Sequence, residues 1–153
     1  MRRSVGFALS ISLMVPAVAQ PQPPIVTRCT GPTGHGYFYP GAFVKGKAAG
    51  WQKEQITNGQ YLVLRDKEGA YDIVFTDALN RTISAKGDGG QVIVVNDAGG
   101  RLVLLVNYPK MNIETWMFTL DERGTGTASV SQARYGEAAM IQKHALMVAS
   151  CSR

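Results

Sequence analysis

Two histidines and two cysteines are all the imidazole and thiol that 153 residues offer. A zinc site draws three or four ligands from Cys, His and carboxylates at recognisable spacing. His35 and His144 stand far apart with no such pattern, so no metal site is predicted. No G-x-S-x-G segment occurs, which removes the nucleophile elbow of serine hydrolases. The stretch "DKEGAYD" lacks the alternating oxygen ligands and closing glutamate of a calcium loop and fits a hairpin turn. Asn80-Arg81-Thr82 matches a glycosylation acceptor, which matters only in a eukaryotic secretory route. An acidic pair for glycoside chemistry is the one catalytic arrangement left open, because the fold sets the separation of two carboxyl groups. No catalytic residue and no cofactor are predicted, and the chain is read as non-enzymatic.

Charge is also sparse. Charged residues make up 18% of the chain, and like-charged side chains never run beyond two in a row. A nucleic-acid footprint would cluster Lys and Arg on one face, so no nucleic-acid partner is expected.

Long hydrophobic runs are missing too, except at the start. Arg2 and Arg3 precede an apolar run from Val5 to Val15; Pro16 ends it, and Ala17-Val18-Ala19 supplies a small-x-small cleavage pattern. This is the layout of a secretory signal peptide over residues 1–19. The run falls short of the roughly 20 apolar residues that a bilayer span needs, so no stable span is expected after cleavage. Residues 20–24 read as a flexible, proline-rich lead-in and residues 25–153 as a single domain. Loss of Arg2 and Arg3 with the leader leaves 14 basic against 11 acidic side chains, a net charge of +3. The predicted location is secreted or periplasmic.

In such a compartment Cys29 and Cys151 are expected to form one disulfide. A disulfide holds its Cα atoms about 5–6 Å apart, so the first and last ordered segments should be neighbours.

Between the cysteines, short apolar runs alternate with turn residues: "QYLVLRD", "YDIVFTD", "RTISAK", "QVIVV", "RLVLLVNY", "IETWMFTLD" and "TASVSQAR", each bounded by Gly, Asp, Asn or Pro. These read as strands, and turns this short join antiparallel neighbours. Tyr71, Ile73 and Phe75 fall on one face; Trp116, Phe118 and Leu120 share another; in "TASVSQAR" Ala128 and Val130 alone face inward. "RLVLLVNY", apolar on both sides, suggests a strand covered on both faces. Trp51 to Ile56 reads as a hairpin arm or a loose helical turn, with Gly46 and Gly50 against a stable helix. Residues 137–150 favour a final strand over a helix.

The fold class predicted is all-β: a small antiparallel up-and-down barrel of about eight strands closed by the terminal disulfide, with a two-sheet sandwich as the alternative. Phe75, Val94, Leu104, Trp116 and Phe118 are expected to fill its interior.

The stretch "CTGPTGHGYFYPG", residues 29–41, remains. A phosphate-cradling loop would lead into a helix with a Lys and a hydroxyl residue, whereas "YFYPG" follows here. Gly31, Pro32, Gly34 and Gly36 read as an exposed turn. His35, Tyr37, Phe38 and Tyr39 are the candidate binding loop, because tyrosines give large contact area at low entropic cost.

One segment carries a resemblance. "SQARY", Ser131 to Tyr135, echoes a Ser-Gly-x-Arg-Tyr signature with Gln132 in place of glycine. In this, and in its signal peptide and cysteine pair, the chain resembles the small periplasmic inhibitors of c-type lysozymes, compact eight-stranded barrels. The resemblance implies a barrel that works by presenting a loop to a protein. The expected function is therefore binding of a macromolecular partner or cell-envelope component, with a lipocalin-like carrier of small ligands and a lysozyme-inhibitor-like protein as alternatives.

Overall fold

The computed structural model describes residues 25–77 and 79–153. The expected signal peptide and lead-in lie outside the described residues. The ten strands among the described residues join one antiparallel sheet: β1 (Ile25–Phe38), β2 (Gly50–Gln55), β3 (Gln60–Arg65), β4 (Tyr71–Thr76), β5 (Thr82–Ser84), β6 (Gln91–Ala98), β7 (Arg101–Tyr108), β8 (Asn112–Leu120), β9 (Gly126–Arg134) and β10 (Lys143–Ser152). The order across it is β5-β4-β3-β1-β10-β9-β8-β7-β6, with β2 also on β1.

The fold is the expected all-β class, a curled, barrel-like sheet in which a disulfide links the chain's first and last strands. Cys29 and Cys151 are bonded, with Cα atoms 4.0 Å apart, and are direct partners in the β1–β10 ladder. The first and last strands are therefore hydrogen-bonded neighbours, and the free edges fall at β5 and β6. That seam is spanned by side chains: the Tyr71 hydroxyl donates to Asp97 Oδ2 at 2.8 Å, and Arg65 stands 3.9 Å from the same oxygen.

β1 is the strand that sequence patterning missed. It is 14 residues long, and its first half pairs with β3 and its second half with β2, while β10 runs along its other side. The glycines read as a turn instead allow close packing. A Cβ on Gly34 would collide with the Leu146 carbonyl of β10, and one on Gly36 would press on the Glu54 carboxylate at 3.0 Å. The turn-like character survives only as a bulge between Thr30 and Thr33, where Gly31 has φ +64° and the Pro32 carbonyl accepts the Ile56 N–H. β2 is the hairpin arm, and residues 143–152 form the final strand.

The core lines the concave face. Val63, Ile73, Leu104, Val106 and Phe118 are fully buried, each contributing about 1.5–3 kcal/mol through removal of apolar surface from water. Two expectations change. Val94 is 46% exposed, because β6 is an edge strand with a bulge between Val94 and Asn96. β7 buries Leu102, Leu104, Val106 and Tyr108, while its other face stays partly open.

Candidate functional site in the concave cleft

Strand alternation and register put the inward side chains of β7, β8, β9 and β10 into four rows across the sheet. The first is Leu102, Phe118, Ala128 and Ala149; the second is Leu104, Trp116, Val130 and Met147. The third is Val106, Glu114, Gln132 and Ala145; the fourth is Tyr108, Asn112, Arg134 and Lys143. The concave face thus passes from wholly apolar at one end to polar and charged at the other.

A cleft of about 340 Å³ opens over the polar end, with Tyr61, Phe75, Ile83, Val130 and Met147 among its apolar walls. At its floor lies Glu114, 8% exposed. Three neutral donors hold its carboxylate: Asn112 Nδ2 at 2.6 Å and Gln132 Nε2 at 2.7 Å on Oε1, and Trp116 Nε1 at 2.8 Å on Oε2. Such bonds offset the cost of keeping a charge out of water. Trp116 is in turn fixed by the Tyr61 ring, edge-on at 4.8 Å, and by Phe118 stacked at 6.2 Å.

Two ion pairs flank this floor. Lys143 bonds Glu54 Oε1, both side chains largely buried, and lies over the Phe38 ring at 5.4 Å. Arg81 meets Asp77 Oδ2 at 2.6 Å. Hydrogen bonds from the Arg81 backbone N–H and guanidinium, with a further one from the Leu79 N–H, hold the Asp77 carboxyl below its ordinary range. Arg134 enters the cleft with no ion-pair partner among the described residues. Three buried polar atoms around this end have no hydrogen-bond partner among the described residues: Arg134 Nε, Glu54 Oε2 and Asn112 Oδ1.

The electrostatics register on two phenols. Burial, then the negative charges of Glu114 and Glu54, push the Tyr61 hydroxyl well above its usual range. Burial also raises Tyr108, reinforced by Glu114, Asp88 and Asp72 and opposed by Arg134.

The residues singled out from sequence are elsewhere. His35, Tyr37 and Phe38 belong to β1 and Tyr39 follows it directly, so the candidate binding loop is a strand. Alternation splits the four: Phe38 turns inward to Lys143, whereas Tyr37 joins an outer aromatic cluster. There Tyr37 meets Tyr39 at 5.1 Å and Trp51 at 5.6 Å, and Tyr39 meets His144 at 5.9 Å. Trp51 is 71% exposed. In "SQARY", Gln132 and Arg134 join the cleft, and Tyr135 lies on the surface. Among the described residues no group of three or more His, Cys, Asp or Glu side chains is arranged to hold a metal.

The cleft residues Glu54, Glu114, Gln132, Arg134 and Lys143, and Asn112, which bonds Glu114, were missed by sequence reasoning. Their signal was alternation carried two or four positions further. Trp116 and Phe118 face inward, so Glu114 and Asn112 do; Ala128 and Val130 face inward, so Gln132 and Arg134 do. No protein-family model, curated protein or solved structure matches the chain.

Proposed function

We propose that this chain is an exported, non-enzymatic binding protein that takes a small polar molecule into the concave cleft. The observation that carries the reading is Glu114: a nearly buried carboxylate, held by three neutral donors, at the floor of an open cleft. A fold stabilised by burial alone would favour an apolar residue there, since burying a charge is costly. The cleft volume lies at the small end of ligand pockets, which run from roughly 300 to 1,000 Å³. Export to an oxidising compartment is supported by the signal-peptide pattern and the disulfide. No helix of the described residues is long and apolar enough to cross a membrane.

The test uses the chain's two tryptophans. In a Trp51→Phe variant only Trp116 reports, from inside the site. Small polar metabolites screened against this protein should include compounds that change its emission, and Glu114→Ala should weaken them at least about tenfold. A screen in which nothing responds, or in which responses survive Glu114→Ala, overturns the reading.

A second reading is favoured by the outer cluster of Tyr37, Tyr39, Trp51 and His144. Exposed tyrosine and tryptophan are enriched at protein interfaces, so this face suits a macromolecular or envelope partner, a lysozyme among them. A lysis assay with and without Tyr37→Ala/Trp51→Ala protein tests the lysozyme case: inhibition that the double variant loses supports it, and no inhibition removes it.

A further inference from the structure

Glu114 and Arg134 lie on the same concave face in adjacent strands, yet they are not paired. In the β8–β9 ladder Glu114 is opposite Gln132 and Arg134 is opposite Asn112. The two charges are thus diagonal neighbours, whose backbone positions are about 7–8 Å apart. Side chains this long reach across such a gap. The carboxylate is instead turned to Asn112, Gln132 and Trp116, which hold it off the guanidinium. Arg134 is left without an ion pair, and its Nε is buried without a hydrogen-bond partner among the described residues. The other lining cations, Lys143 and Arg81, are already neutralised by Glu54 and Asp77.

We propose that the cleft selects a zwitterion of the α-amino acid type, its carboxylate on the Arg134 guanidinium and its ammonium on Glu114. This inference rests on the small-ligand reading of the cleft. The planar fork of arginine matches a carboxylate. A carboxylate offers about four acceptor positions, and Glu114 uses three, leaving one on Oε2 for an ammonium. A ligand of one charge alone would leave either Glu114 or Arg134 without an opposite charge once it displaces water from the cleft, which is costly. A zwitterion answers both. The apolar walls of Tyr61, Phe75, Val130 and Met147 suit an aliphatic or aromatic side chain.

The experiment is calorimetric titration of the disulfide-bonded protein, residues 20–153, with the free amino acids from glycine to tryptophan. Each ligand that binds is repeated as its N-acetyl derivative, which lacks the ammonium, and as its amide, which lacks the carboxylate. One or more free amino acids should bind, and blocking either end should weaken binding at least about tenfold. Arg134→Gln should weaken the free amino acid but leave the amide unchanged. Glu114→Gln should weaken the free amino acid but leave the N-acetyl form unchanged. The blocked-ligand comparison needs no variant, so it decides the matter even where a substitution prevents folding. Blocked forms binding as tightly as the free amino acid overturn the zwitterion. So does the absence of amino-acid binding while a neutral sugar or amide binds, and in both cases the cleft reading survives. If no small molecule binds in either screen, both fall.

Discussion

Cys29 and Cys151 face each other across the β1–β10 ladder, so the disulfide clasps two strands already joined by backbone hydrogen bonds. It closes a sequence separation of 122 residues. In the chain-entropy account, a loop of that size stabilises by about 4–5 kcal/mol. Cys29→Ala/Cys151→Ala protein is expected to keep the sheet but melt roughly 10–20 °C lower. Circular dichroism melts of the two forms check this. A fall of only a few degrees would mean that the ladder alone holds the termini.

Glu114 supplies the second prediction. Glu114→Ala orphans the donors of Asn112, Gln132 and Trp116 together and should cost about 2–4 kcal/mol in urea unfolding. Glu114→Gln keeps an oxygen for Asn112 and Gln132 but turns an amide N–H₂ toward the Trp116 N–H. Its cost should be smaller, about 1–3 kcal/mol, and should shrink when Trp116→Phe is added. Equal costs for the Ala and Gln variants would contradict the bonding described.

The buried pair of Lys143 and Glu54 gives a third. Lys143→Met leaves the Glu54 carboxylate uncompensated, with Oε2 already lacking a partner among the described residues. Breaking such a pair from one side costs about 3–5 kcal/mol, whereas replacing both partners by apolar residues is often close to neutral. Lys143→Met/Glu54→Leu should therefore recover most of the loss. A double variant no more stable than the single one would show that the pair contributes net stability.

Gly34 gives a fourth. Its missing Cβ lets β1 sit against β10, because any Cβ there runs into the Leu146 carbonyl. Backbone cannot yield as a flexible side chain can. Gly34→Ala should cost more than the 1–3 kcal/mol typical of overpacking, read as a lowered urea midpoint or loss of soluble protein. Gly41→Ala, with open space around the Cβ position, is the control.

These sites mark what was legible beforehand. The hairpins from Gln60 to Arg134 followed from alternation and turn residues, since each is a local pattern with period 2. The disulfide followed from compartment and cysteine count. β1 was hidden because its glycines mimic turn chemistry, although they serve close strand approach. The cleft was hidden for a related reason: apolar alternation ends where the inward positions turn polar, at Glu114 and Gln132. Polarity on an inward face is a site signal only when register brings several such residues together, and register is a property of the folded sheet. Val94 was misjudged because a β-branched run marks a strand without marking whether it is central or at an edge.

The last prediction concerns alkaline pH. Tyr61 and Tyr108 are held protonated well above the ordinary phenol range, by burial first and by the charge of Glu114 next. The unfolded chain ionises near pH 10, while these two phenols in the fold do not. Their contribution to stability is thus complete below that pH and is lost as pH rises toward their folded values, each giving a slope of about 1.4 kcal/mol per pH unit. Urea midpoints should be flat in this respect through pH 9 and fall above pH 10. Of the six tyrosines, Tyr61 and Tyr108 should acquire tyrosinate absorbance only as the protein unfolds. Tyr61→Phe keeps the ring that meets Trp116 edge-on and removes the titrating group. It should leave stability at neutral pH little changed and reduce the alkaline slope. An unchanged slope in that variant would mean that Tyr61 ionises in the folded protein as readily as in the unfolded chain.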